Sequence, residues 1–185
     1  MVFPPIYAGG SDPNVMGKWN DTDVPLAYLI TFRTYGTWLP GDERGSIDRF
    51  HNKFQGPRAE PNQDRKAQST LLLKSDPVKL DSRGRKAVNE AIREVCEYRN
   101  WKLFAQNVRT NHAHAVVAAI GSADRVLNDL KSYSTRKLRE RKLWLHKHSP
   151  WVDKGSKRKL WNEDHIYLAC DYVLNGQGDD LPEFD

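Results

Sequence analysis

Two histidines near the start of an apolar run are the residues with the clearest chemical potential. The run Thr110–Ile120 reads TNHAHAVVAAI and contains His112 and His114. In a β-strand, alternate side chains point to the same face, so both imidazoles would project from one face, one pleat apart. Burying two imidazoles without partners is costly. We therefore predict that the pair binds one metal ion or one phosphate, with a purely structural, hydrogen-bonded pair as the alternative.

The ligand types favour a hard cation over zinc. The sequence has no CxxC motif, and its cysteines, Cys96 and Cys170, are far from the pair along the chain. Neutral imidazoles joined by an amide or carboxylate oxygen suit Mg²⁺ or Mn²⁺. A second pair, His146 and His148, lies in a basic segment without an apolar run. We expect that pair to be solvated or to face DNA.

A metal that polarises a phosphate needs a nucleophile, and tyrosine is the attractive candidate. A tyrosine forms a stable phosphodiester and is a good leaving group when the reaction reverses. Tyr172 lies in DYVLNGQ and Tyr133 in LKSYST. Spacing alone does not choose between them, and a packing role is the more common one for either.

The elements that must position these residues form an α+β pattern. Strands are predicted over 26–34, 101–109 and 112–120, and helices over 83–99 and 123–143. A last helix is predicted from its cap, Asn162, to Gly176. This order predicts a ferredoxin-like fold, an antiparallel sheet with helices packed on one face. Residues 46–76 are expected to form a long excursion with at most a short strand over 69–73, and 144–161 a basic loop or hairpin.

Length and composition indicate one globular domain. The 185 residues are divided into a flexible N-terminal tail (1–22), a single domain (23–178) and an acidic tail (179–185). No apolar run reaches the ~18 residues of a transmembrane helix. The N-terminus lacks the charge and apolar core of a secretory signal. Both cysteines are expected to be reduced, so the chain is predicted to be cytoplasmic, with no membrane partner.

The charge is concentrated in one segment. The whole chain carries a net charge of +5, whereas residues 131–159 hold eleven Lys/Arg against Glu140 and Asp153, a net +9. Trp144 and Trp151 are interleaved with these cations. Cations bind phosphates and aromatic rings stack on unpaired bases, so the segment favours single-stranded nucleic acid over the alternative of a solvated basic helix.

Four motifs together resemble one family. They are LITFRTYGTWLPGD, TNHAHAVV, LNDLKSYSTRKL and LWNEDHIYLACDYVLNGQ, which lie in this order within residues 26–178. The chain resembles the HUH-superfamily single-tyrosine transposases, of the REP-associated, IS200-like type. The resemblance implies the ferredoxin-like HUH fold and a metal bound by His112 and His114.

The resemblance also selects the nucleophile and the third ligand. The tyrosine of the C-terminal helix corresponds to Tyr172, with Tyr133 kept as the alternative. The family places a Gln or Asn four residues after that tyrosine, where this chain has Gly176. Gln177 is the candidate third ligand, and it could reach back if a left-handed turn at Gly176 ended the helix.

The implied reaction is cleavage and rejoining of hairpin-flanked single-stranded DNA through a 5′-phosphotyrosine, with Mg²⁺ or Mn²⁺. A DNA-binding module that has lost this chemistry is the alternative. The resemblance allows a homodimer, with Tyr172 serving its own or its partner's site. Trp38 is a further stacking candidate. The expected DNA-binding residues are Lys131, Arg136, Lys137, Arg139, Lys157, Arg158, Trp144 and Trp151.

Overall fold

The computed structural model describes residues 24–45, 59–178 and 181. The predicted N-terminal tail lies outside the described residues, as does most of the acidic tail. Among the described residues, no helix has the length and apolar character needed to cross a membrane. The elements, in chain order, are β1 (Ala27–Arg33), α1 (Gln63–Leu71), α2 (Ser82–Tyr98), β2 (Lys102–Val108), β3 (His112–Ala118), α3 (Ala123–Glu140), β4 (Ser156–Leu160) and α4 (Glu163–Asn175).

The four strands form one antiparallel sheet in the order β2-β3-β1-β4. Strand β3 lies between β1 and β2, pairing Thr31 with His114 on one side and Asn107 with His114 on the other. Strands β1 and β2 are therefore parallel to each other, and α2 connects them across the sheet. This split βαβ arrangement confirms the predicted ferredoxin-like α+β fold.

Alternation along the strands divides the sheet into two faces. Ile30 and Phe32 of β1 and Ala113 of β3 point to the face covered by α2 and α3, where the main core lies. On the opposite face, Val116 packs with Ala169 and Val173 of α4. Helices α2 and α3 thus share one face, as predicted, and α4 covers part of the other. Because His112 and His114 have the same parity as Val116, they face α4.

Side-chain caps begin three of the helices where the sequence predicts. Asp81 Oδ1 accepts a hydrogen bond from the amide of Gly84 at 2.7 Å, and Asn162 Oδ1 accepts one from the amide of His165 at 2.8 Å. Ser122 caps α3 in the same way, through the amide of Arg125. Each cap satisfies an amide that has no partner within the helix, which sets where the helix starts. The Asn162 cap thereby sets the start of α4, the helix that carries Tyr172.

Two elements differ from the prediction. The strand predicted at 69–73 is wrong, because that segment belongs mostly to helix α1. This helix buries none of its residues and is capped by Asn62, so it has no apolar periodicity to detect. The predicted loop at 144–161 contains strand β4, which reads SKRKL and pairs with β1 at the edge of the sheet. An edge strand with one buried residue lacks the apolar alternation typical of inner strands.

Candidate active site

His112 and His114 lie side by side on β3, facing α4. Their ring centroids are 4.7 Å apart. His114 Nδ1 is 2.7 Å from the hydroxyl oxygen of Thr31, its paired residue on β1. His112 Nδ1 is 2.7 Å from the side-chain oxygen of Asn111. With both Nδ1 atoms engaged, a metal would bind through the two Nε2 atoms.

Burial keeps both imidazoles neutral at physiological pH. Desolvation is the main cause that lowers the pKa of His114 to about 4, and the neighbouring His112 lowers it further. The pKa of His112 is also lowered, first by burial and then by the positive charges of Arg33, Arg109 and Arg44. A neutral imidazole has one N–H and one lone pair. Both histidines are therefore in the protonation state that a metal ligand requires.

Helix α4 brings Tyr172 to the histidines of the same chain. Its Ala169 and Val173 are buried against the sheet. The side-chain amide of Asn107, on β2, donates a hydrogen bond to the carbonyl oxygen of Val173 at 3.0 Å. The Tyr172 ring lies edge-on to His114 with a centroid separation of 5.4 Å. The side chain is still 47% exposed, so a substrate could reach its hydroxyl.

Gln177 reaches His112 from the end of α4. Its Oε1 is 3.3 Å from His112 Nε2, and its Nε2 donates to the Tyr172 carbonyl oxygen at 2.9 Å. The left-handed turn expected at Gly176 is wrong, because Gly176 has φ −90°. A β-carbon at Gly176 would lie 2.8 Å from the Tyr172 carbonyl oxygen and 3.0 Å from Tyr172 Cδ2. Glycine at this position therefore allows the observed orientation of the tyrosine.

The donor atoms of His112, His114 and Gln177 fit a hard divalent cation. With Nδ1 donating to Asn111, His112 Nε2 carries a lone pair and faces the carbonyl oxygen of Gln177. With that tautomer, His112 Nε2 and Gln177 Oε1 are two hydrogen-bond acceptors 3.3 Å apart, and a cation bound to both would offset their repulsion. Adjacent ligands of an octahedral ion at about 2.1 Å are about 3 Å apart. Within the described ranges, no three His, Cys, Asp or Glu side chains cluster as a metal site, so the amide would complete this set.

Arginines that the sequence did not single out surround the pair. Arg33 pairs with His112 across β1 and β3. Its guanidinium carbon lies 3.7 Å from the Trp38 ring centroid, and that of Arg44 lies 4.7 Å from the same centroid. Arg44 also donates to Asp42, which holds the pKa of that buried carboxyl at about 2. The sequence does contain a signal for Arg33: it is two residues after Thr31 in a predicted strand, so both side chains lie on the same face of the sheet as the histidines.

Two of the expected DNA-binding residues are part of the core instead. Lys131 is 8% exposed, and its ammonium donates to the carbonyl oxygens of Val152, Asp153 and Lys154. Trp151 is 3% exposed and packs edge-on against Phe32. Both side chains hold the segment before β4 against α3. These contacts favour a structural role for both side chains, and their contact with DNA stays a prediction.

The other expected DNA-binding residues are nearer the surface, several of them in ion pairs. Arg158 shares with Leu160 the strand face that α4 covers, while Arg139 and Trp144 hold the 146–148 loop. The ion pairs are Arg136 with Glu140, Lys137 with Glu94 and Lys157 with Asp124.

The alternative nucleophile, Tyr133, lies away from the histidine pair. It stands beside Tyr98 and Arg136, and packs against the core on the α2 and α3 side of the sheet. The sheet therefore separates it from His112 and His114.

Two solved structures and one family model are similar to this chain. A structure of a REP-associated tyrosine transposase bound to a REP hairpin is 12% identical, with a TM-score of 0.46, covering 85% of this chain and 70% of that one. A protein described as a transposase from Deinococcus radiodurans R1 is 13% identical, with a TM-score of 0.42, covering 89% of this chain and 100% of that one. No curated protein matches significantly. The family model for IS200-like transposases matches residues 70–173, more than half of the chain. The chain belongs to the IS200-like transposase family.

Proposed function

We propose that this transposase cleaves and rejoins hairpin-flanked single-stranded DNA through a covalent bond to Tyr172. The observation that carries the proposal is the convergence of His112, His114, Gln177 and Tyr172 from β3 and the end of α4. An exposed tyrosine beside two neutral imidazoles provides a nucleophile next to a place where a phosphate could be polarised.

The proposed chemistry is two transesterifications. The phenol oxygen of Tyr172 attacks the scissile phosphorus, the new O–P bond forms, and the bond from phosphorus to the 3′ oxygen breaks. The phenol proton leaves to solvent, and the released 3′ oxygen takes up a proton. A second 3′-OH then attacks the 5′-phosphotyrosine and releases the tyrosine. The number of phosphodiester bonds is conserved, so no nucleotide cofactor is needed.

A divalent cation, Mg²⁺ or Mn²⁺, would be held by His112, His114 and Gln177. When bound, it would supply Lewis-acid polarisation of the phosphate. The chain contributes the orientation of the ligands: Thr31 and Asn111 engage the two Nδ1 atoms, so that a metal would be bound through the Nε2 atoms, that of His112 beside Gln177 Oε1. Arg33, close to His112, adds positive charge where the phosphate would lie.

The proposed substrate is DNA with unpaired bases beside a hairpin. The exposed cations and aromatic rings of the 131–159 segment suit phosphates and unpaired bases. The REP-associated transposase was solved with a hairpin, so a hairpin with single-stranded flanks is the substrate to test first. We expect the protein to act in the cytoplasm.

The test is detection of a covalent adduct on a denaturing gel. The full chain is incubated with a flanked hairpin oligonucleotide and Mn²⁺. We expect a protein–DNA adduct with the wild type and none with Tyr172→Phe or His112→Ala. Tyr133→Phe is the matched control and should form the adduct normally.

The outcomes distinguish the two candidate nucleophiles, and a DNA-cleaving enzyme from a DNA-binding module. If Tyr133→Phe abolishes the adduct and Tyr172→Phe does not, the assignment of the nucleophile is refuted. If no variant, including the wild type, forms an adduct but hairpins bind tightly and in a salt-dependent way, the chain is a DNA-binding module.

A further inference from the structure

Two neighbouring clefts lead away from the candidate active site. The near cleft, of about 510 Å³, is lined by the 36–44 loop, α1, Thr110 and Asn111. The far cleft, of about 680 Å³, is lined by residues 75–84, the end of α3 and the loop that follows it. Both clefts are lined by Pro77 and Lys79. Because Asn111 is hydrogen-bonded to His112, the near cleft adjoins the histidine pair, and the shared residues place the far cleft next to the near one.

The far cleft carries aromatic rings on a fixed backbone. Trp144, His146 and His148 form a cluster with centroid separations of 4.6, 5.3 and 5.1 Å. Arg139 donates to the carbonyl oxygens of residues 146–148, and Trp144 donates to that of His148. These bonds hold the loop, while both imidazoles remain exposed. The rings are therefore available to a ligand without further ordering of the backbone.

Exposed cations also line the two clefts. Lys79 lies where the clefts meet, and Lys142 and Arg83 line the far cleft. Four carboxylates also line the clefts. Asp42 is buried and paired with Arg44, Asp81 accepts the amide of Gly84 and pairs with Arg83, and Glu43 and Asp76 are exposed, so Lys79 and Lys142 are the cations on which the argument depends. Aromatic rings interleaved with cations along a groove are the features with which proteins bind single-stranded DNA.

We propose that these clefts bind a single-stranded DNA segment continuous with the strand at Tyr172, with a base on the Trp144 cluster and a phosphate on Lys142. The proposal rests on the proposed function, because the strand in the groove is the substrate's own flank. The proposal requires that the substrate have an unpaired flank long enough to reach from the histidine pair to Trp144.

The backbone at Lys142 supports a role outside folding. Lys142 has φ +57° just after α3, a conformation that favours glycine. Asn100 has φ +55° at the corresponding position after α2. In both cases the next amide bonds back to a carbonyl of the helix, Leu143 to Leu138 and Trp101 to Cys96. Asparagine tolerates this conformation well, whereas lysine does not. Of the two residues, Lys142 is the one that lines the far cleft.

The matched variants Lys142→Gly and Asn100→Gly test the proposal. Both are made in the full-length Tyr172→Phe protein, so that DNA is bound but not joined. Fluorescence anisotropy compares hairpins whose single-stranded flank is absent, short or long at either end. Thermal unfolding is measured in parallel. Trp144→Ala is a third variant in the same background.

We expect affinity to rise with the length of one flank and then level off. Lys142→Gly should keep or raise the melting temperature, weaken binding of the long flank severalfold, and lower the salt slope by about 0.7. Trp144→Ala should weaken the same binding by about fivefold or more. Asn100→Gly should leave binding unchanged, and both glycine variants should bind the flankless hairpin as the parent does.

The proposal is overturned if affinity does not depend on flank length, or if Lys142→Gly binds the long flank as tightly as Asn100→Gly. Failure of the cleavage proposal gives a different pattern, in which wild type forms no adduct but the flank dependence and its loss in Lys142→Gly remain. An adduct without flank dependence would refute the groove alone.

Discussion

Thr31→Val tests whether the strand next to β3 prepares His114 for metal binding. The Thr31 hydroxyl is 2.7 Å from His114 Nδ1, and the two residues are directly paired. A metal bound at Nε2 requires the proton on Nδ1, where the Thr31 hydroxyl can accept it. Valine keeps the branched shape but removes that acceptor, which favours moving the proton to Nε2. Loss of such a partner typically weakens metal binding about 10- to 100-fold. This corresponds to about 1.4–2.8 kcal/mol of binding free energy.

The assay is isothermal titration of Mn²⁺ into the full-length protein, with histidine ¹⁵N NMR of the metal-free protein as a second measurement. Thr31→Ser is the control, because it keeps the hydroxyl, and it should bind Mn²⁺ nearly as wild type does. We expect the NMR spectrum of Thr31→Val to show a shift towards the Nε2–H tautomer of His114. Wild-type Mn²⁺ affinity in Thr31→Val, with an unchanged tautomer, would refute the reasoning.

Three further changes test other parts of the structure. Gly176→Ala places a β-carbon against the Tyr172 ring, so adduct formation should slow about 10- to 100-fold while Mn²⁺ affinity changes less; equal rates on the gel would contradict this. Lys131→Met leaves three carbonyls without their donor and should lower the free energy of unfolding in urea by about 3 kcal/mol; an unchanged value would contradict this. Because burial lowers the pKa of His114 from 6.5 to about 4, the unfolded metal-free protein binds more protons between those values. Its stability should therefore fall as the pH drops through that window, by no more than about 3 kcal/mol, and a His114→Asn variant with the same slope would reject this cause.

The parts of the fold that the sequence predicted are those with buried periodicity. Helix α2 and strand β3 lie within about two residues of their predicted bounds, because each buries a face whose spacing is visible in the chain. Helix α1 buries nothing and strand β4 buries little beyond Leu160, so neither has a pattern to read. Their structure depends on contacts with neighbours, such as the pairing of β4 with β1.

For the site, spacing indicated the histidine pair but not its surroundings. The i, i+2 relation of His112 and His114 sets their common face in any strand. Nothing in the sequence said that Thr31 would meet His114, since 83 positions separate them. Composition did not indicate burial either: Lys131 and Trp151 lie in the basic segment that predicts a DNA-binding surface, yet both are buried.

The sequence by itself determined the two histidines on one strand face, the capped C-terminal helix with its tyrosine and the family motifs, because these depend on local periodicity and capping. Only the tertiary structure decided that α4 packs on the histidine face, that Tyr172 rather than Tyr133 stands beside His114, and that Gln177 reaches His112 without a left-handed turn. These relations join residues far apart in the chain. They are set by which apolar faces bury each other, and side-chain packing across the sheet decides that.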